Sequence, residues 1–227
     1  MFIFDSAYIW MVLIPSLLLS VGAQFYVTSS YRKWSNTRNS MGLTGVQAGE
    51  RIKRAAGLDG VNFEGVPGEL TDHYDPSSHT VRMSQGIATK PSVAALAIVA
   101  HELGHAQQHQ EKSVLIAMRS FLVPAMRFSP MAAYTLIFLG VFMQVTSFIE
   151  LGILFFAVVV AFMLLTLPVE IDASRRGMAL LKQANLVTTG DSQGARQILT
   201  AAAMTYVAAF LSSLLTLLYY ISILRRN

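Results

Sequence analysis

The run His101-Glu102-Leu103-Gly104-His105 sets two imidazoles four residues apart, with a carboxylate beside the first. On a helix, residues four apart project from one face, so both rings can address one ion while Glu102, one step round, can reach a water next to it. That spacing suits hydrolysis. Neutral imidazole suits zinc, the ion lowers the pKa of a water from 15.7 to about 7, and a carboxylate can take the proton and later return it to a leaving amine. In a shuffled chain of this composition a His-Glu-x-x-His run is expected on the order of 0.003 times, so chance is a weak competitor. The bland reading is a pair of satisfied helix histidines.

A catalytic zinc takes three protein ligands and keeps one open position. The chain has no cysteine, so the third ligand must be His, Asp or Glu. His109 lies about 12 Å along a helix from His101, too far to share one ion with it. Position 111, where the extended motif needs a third His, is Glu, and position 108, where it needs Gly, is Gln. Glu150 falls at the wrong face of the bilayer. Glu170 and Asp172 remain, emerging after an apolar stretch, and Glu170 is the preferred ligand. Its bland reading is a carboxylate in the first turn of a new helix begun at Pro168.

The stretch Thr71-Asp72-His73-Tyr74-Asp75-Pro76 is dense in groups that could serve such a site. His73 or Tyr74 could donate to the oxyanion of a tetrahedral intermediate, and Asp72 or Asp75 could orient a ligand imidazole. The alternative is a strand end and an Asp-Pro turn with local side-chain bonds.

These groups need a scaffold. Thr44 with Gln47 three residues on reads as a capping box, and Gly57 as a stop, giving one helix. Strand character follows in 60–66, 69–74 and 79–84, punctuated by Pro67-Gly68 and Asp75-Pro76-Ser77-Ser78, which predicts a small antiparallel sheet. Pro91 and Ser92 introduce a helix over Val93–Gln110 whose first half is almost wholly apolar, as a buried core helix should be. An edge strand upstream of it could hold an extended peptide beside the metal. Residues 114–128, with Arg119, Arg127 and Pro124, read as a segment in the headgroup region with snorkelling arginines.

Apolar residues make up 53% of the chain and charged ones 13%, against about 25% charged in soluble domains. A span needs roughly 20 apolar residues, and four stretches qualify: 8–26, 131–147, 151–169 and 201–224. The second and third form a hairpin with its tip at 148–150. Of the 17 Lys and Arg, eleven fall in 28–130 and four in 170–200, and none in 1–27 or the hairpin tip. The excess marks the cytoplasmic side and leaves the N-terminus external. Arg225 and Arg226 then fall outside, against the rule. Val21-Gly22-Ala23 resembles a signal-peptide cleavage site, but no basic residue precedes Arg32. The net charge of +4 comes from scattered residues without a reading motif, so anionic lipid, not nucleic acid, is the expected partner. Leu58-Asp59-Gly60 fits a loop better than the ligand run of an intramembrane protease, since the metal helix is not a span.

The residues Ala56-Gly57-Leu58-Asp59-Gly60-Val61, Leu70 to Pro76, Ser92-Val93-Ala94-Ala95, His101 to Ala106, Leu122-Val123-Pro124 and Glu170-Ile171-Asp172-Ala173-Ser174 together resemble the YugP-like family of bacterial membrane zinc metallopeptidases, neutral zinc metallopeptidase family 2. The resemblance runs over nearly the whole chain. It implies a zinc-dependent peptidase with His101, His105 and a downstream Glu as ligands and Glu102 as general base. HtpX-like membrane proteases are a more distant likeness. In them an Asp follows the ligand Glu by four residues, where this chain has Ser174, so Asp172 is the candidate to support a ligand imidazole.

The expected fold is a mainly α membrane protein, with four transmembrane helices and a small α+β cytoplasmic gluzincin-like metallopeptidase domain. Its parts are an N-terminal span in 1–27, the zinc-peptidase domain in 28–130, a transmembrane hairpin in 131–169, a cytoplasmic segment with the third ligand in 170–200, and a C-terminal span in 201–227. The expected activity is a multi-pass cell-membrane endopeptidase, with one Zn2+ per chain, acting on membrane-proximal or misfolded proteins. The alternative is a non-proteolytic membrane scaffold with a structural zinc site, against which Glu102 speaks, since a structural site needs no base.

Overall fold

The computed structural model describes residues 5–224, so Arg225 and Arg226 lie outside the described residues. The chain is mainly helical. In order it forms α1 (Ser6–Tyr8), a π-helical turn (Ile9–Leu13), α2 (Ile14–Ser35), α3 (Gly45–Ala56), β1 (Asn62–Val66), β2 (His73–Asp75), β3 (Thr80–Ser84), α4 (Gln85–Thr89), α5 (Val93–Gln110), α6 (Val114–Met126), α7 (Ser129–Met143), α8 (Thr146–Gln183) and α9 (Thr189–Leu224). Two compact units divide these elements, one of residues 1–24, 117–168 and 204–227 and one of residues 25–116 and 169–203.

The second unit holds the sequence motifs. Helix α3 starts at the expected capping box: Thr44 Oγ1 accepts from the Gln47 amide while Gln47 Oε1 accepts from the Thr44 amide, and Gly57 closes the helix in the left-handed region at φ 65°. Ser92 caps α5 by accepting from the Ala95 amide. Ala94, Ala95, Leu96, Ala97, Val99, Ala100 and Leu103 on that helix are all fully buried, and Ile52, Leu58, Val81, Met83, Leu181 and Leu186 close around them. At about 1.5–3 kcal/mol per large buried apolar side chain, this packing fixes α5 as the central element of the unit. Trp34 Nε1 donates to Gln197 Oε1, and Asp191 accepts from the Ser40 amide. These bonds tie the chain ends of the unit together.

The sheet differs from the antiparallel one expected. Its order is β1-β3-β2, with β1 and β3 parallel and β2 and β3 antiparallel. Only the second connection is a hairpin, tightened by Asp75, whose carboxylate accepts from the Ser77 amide and from the Ser77 and Ser78 hydroxyls. Pro67 and Gly68, the latter at φ 98°, turn the chain away after β1 instead of folding it back. Residues 69–72 are not strand, because Leu70 sits at φ 56° and breaks the extended run. Leu58 is buried and Asp59 stands in a turn, as the loop reading requires.

In the other unit, α7 and the first part of α8 form the expected hairpin, but the turn falls at Gln144 and Val145, not at 148–150. Gln144 takes the left-handed conformation and the Val145 amide returns to Gly140 O. The helices meet through glycines: a Cβ at Gly140 would lie 2.8 Å from the Ile149 nitrogen, and one at Gly152 2.9 Å from Ala133 O. At 15 residues α7 alone is about 22 Å long, short of the roughly 30 Å of hydrocarbon. Within 114–128, the segment expected in the headgroup region, residues Val114–Met126 are helical, and α6 with α7 reaches span length across a 48° bend. Pro124 explains a break near the end of α6. Pro168 begins no new helix, since α8 runs through it. Among the described residues, three helices, Ser6–Ser35, Thr146–Gln183 and Thr189–Leu224, are long and apolar enough to cross a membrane, or four counting the bent pair.

Candidate metal centre

Helix α5 carries His101 and His105 on one face, their ring centroids 4.8 Å apart. Glu170 projects from α8 onto the same point, its Oε2 lying 3.4 Å from His101 Nε2 and 3.5 Å from His105 Nε2. One donor atom from each residue fits within a 4.8 Å group. Two donors each about 2.1 Å from one ion and about 110° apart lie about 3.4 Å from each other, so the two carboxylate–imidazole separations suit ligands of one tetrahedral zinc. The donor set, two imidazoles and a carboxylate, is also the chemistry zinc takes.

The two helices come close enough for this because two glycines face backbone. A Cβ on Gly104 would stand 2.4 Å from Ala173 O, and one on Gly177 2.9 Å from Ala100 C and O. Gly104 lies between the two histidines and Ala173 three residues after Glu170, so a close backbone approach falls beside these residues.

Each imidazole is held by its second nitrogen. His105 Nδ1 donates to Gln108 Oε1 at 3.0 Å. The Gln108 amide cannot turn over, because its Nε2 donates to both Val169 O and Asp172 Oδ2, each at 2.9 Å. Asp172 is in turn braced by Arg175 and Arg176, and Arg176 also reaches Glu111. His101 Nδ1 stands 3.2 Å from Ser174 Oγ. With Nδ1 as the donor, the neutral His105 ring carries its lone pair on Nε2, on the side of Glu170. Burial pulls the His105 imidazolium down, but the hydrogen bond to Glu170 and the charges of Glu102 and Glu170 outweigh it and raise it above its ordinary value. Glu102 is 8% exposed, and its carboxylate makes no hydrogen bond among the described residues.

Asp172 does not bond a ligand imidazole but reaches His105 through Gln108. Gln108 was passed over because it fails the extended motif; its position one turn after His105 on a buried helix was the available signal. Ser174 meets His101 at the position where the HtpX-like proteases have Asp. Asp75 makes the bonds of its own turn and also pairs with Arg82, whereas Asp72 accepts from the Ser84 amide and hydroxyl twelve residues away, a bond that is not local to the turn. His73 Nδ1 turns to Thr71 O, and the Tyr74 hydroxyl lies between His79 and His109.

With this geometry established, comparison with known proteins gives the family. The profile described as "Putative neutral zinc metallopeptidase" matches residues 9–225. The chain belongs to that family. It is also 39% identical over 210 residues, 92% of this chain and 93% of the relative, to the Bacillus subtilis (strain 168) protein described as "Putative membrane protease YugP". No solved structure matches it. Membership makes zinc the implied metal, and His101, His105 and Glu170 form a group able to hold one.

Proposed function

We propose that this chain is a membrane-integral zinc metalloendopeptidase in which His101, His105 and Glu170 hold one Zn2+ and Glu102 is the general base. The observation that carries the reading is the convergence of both Nε2 atoms on Glu170 Oε2 beside the buried Glu102, whose carboxylate has no hydrogen-bond partner among the described residues. When bound, the ion supplies Lewis acidity that brings a water's pKa to about 7 and polarises the scissile carbonyl. Glu102 accepts the proton of the attacking water and hands it to the leaving amine. Gln108 keeps the His105 imidazole in the tautomer that leaves Nε2 free, and Ser174 holds the His101 ring at its Nδ1. Strand β2 packs on α5 with its outer edge unpaired, so a substrate backbone can extend the sheet there, with His73 on that edge as the candidate oxyanion donor.

Three ligands rather than four favour catalysis over a structural zinc in a scaffold. The small α+β part is gluzincin-like in this reading and faces the cytoplasm, between an N-terminal span and a transmembrane hairpin, with four spans in all and the N-terminus external. The distribution of Lys and Arg supports that orientation. A site there meets membrane-proximal segments and misfolded membrane chains first, which makes them the expected substrates. The test of the substrate class is cleavage by the purified enzyme. Efficient cutting of unfolded soluble proteins with no cutting of membrane proteins contradicts it, and cleavage of exposed cytoplasmic loops supports it.

A further inference from the structure

Outside the proposed active site, three side chains from three different elements converge. Tyr74 in β2, His79 in the turn before β3, and His109 in the last turn of α5 meet with the Tyr74 oxygen 3.1 Å from His79 Nδ1 and 3.2 Å from His109 Nδ1. The two imidazole centroids are 4.9 Å apart. These dimensions nearly repeat those of the His101, His105 and Glu170 group, where the oxygen lies 3.4 and 3.5 Å from two ring nitrogens and the centroids are 4.8 Å apart. We infer that Tyr74, His79 and His109 form a second, weaker site for a borderline divalent transition ion such as zinc.

Two further observations support it. His79 holds φ 49°, a left-handed backbone that Gly or Asn would take with less strain, and in that conformation its ring faces the other two groups. The cluster also reaches the surface, since His79 is exposed and Tyr74 and His109 are half-buried, so an ion has a path in. Two imidazoles and an oxygen donor suit zinc or copper over magnesium or calcium. The site is weaker for a stated reason. Glu170 offers a carboxylate, whereas Tyr74 offers a phenol that burial makes harder to ionise. An ion bound there fastens the edge strand β2 to the end of the helix that carries the proposed catalytic ligands.

The test is equilibrium dialysis of the tag-free full chain in detergent against rising free zinc, with zinc per chain counted by mass spectrometry. Wild type is expected to fill one site and then, at higher free zinc, a second. His79→Asn combined with His109→Gln, chosen to keep the volume and polarity of the cluster, is expected to stop at one. His101→Ala is the converse variant and is expected to lose the first zinc and keep the second, which separates this site from the proposed catalytic one. A wild-type plateau at one zinc, or a second zinc that survives the double substitution, overturns the inference.

Discussion

Two groups of three donors stand at opposite ends of one stretch of α5, alike in spacing and unlike in support. His101, His105 and Glu170 sit on two helices pressed together at Gly104 and Gly177, and Gln108 and Ser174 fix their rings. Tyr74, His79 and His109 sit on a short strand, a turn and a helix end, and bond chiefly to one another. Donor spacing alone therefore does not make a catalytic centre. The first group differs in having rigid elements, a built outer layer of hydrogen bonds and, beside it, a carboxylate with no hydrogen-bond partner among the described residues, which are the features that turn a cluster into a preorganised site.

If helix approach is what distinguishes the first group, Gly104→Ala should have the largest effect. Its methyl would meet Ala173 O at 2.4 Å, which only separation of α5 from α8 relieves. Zinc at the first site should be lost, with destabilisation of about 1–3 kcal/mol or more, while zinc uptake at the second group persists. Retention of tight zinc in dialysis of this variant would break the comparison. His73→Ala, on the strand that carries Tyr74, should lower kcat by about 10²–10³ if His73 donates to the oxyanion, with zinc content unchanged. Full activity removes that role. Gln108→Ala removes the bond to His105 and should weaken the first zinc by about 10–100-fold, read as a shifted dialysis curve, with the second site unmoved. The smallest effect is expected from Thr44→Ala. It deletes one cap of α3 for about 1 kcal/mol, lowers the thermal midpoint slightly and leaves both zinc stoichiometries as they were.

Legibility in the sequence follows the range of the interactions. The metal helix could be read to the residue, since Ser92 and the His spacing are local signals that the structure repeats. The capping box at Thr44 was legible for the same reason. Elimination leaves Glu170 and Asp172 as third donors, with Glu170 preferred, and the place of Glu170 within an unbroken α8 was not legible, because Pro168 is tolerated inside that helix. Parallel pairing of β1 with β3 depends on how the loop after Gly68 packs, which no period-two pattern encodes. Two long-range bonds were not legible, since Gln108 to Asp172 spans 64 positions and Tyr74 to His109 spans 35, although Gln108 to His105 is a local pair.

The most direct measurement is zinc content of detergent-purified wild type, Glu102→Gln and Glu170→Ala by mass spectrometry, after dialysis at free zinc low enough to fill only the tighter site, with casein cleavage followed on the same samples. One zinc in wild type and in Glu102→Gln, cleavage by wild type alone, and loss of that zinc in Glu170→Ala are expected. Zinc retained in Glu170→Ala would contradict the ligand assignment, and cleavage by Glu102→Gln at the wild-type rate would contradict the zinc peptidase mechanism itself.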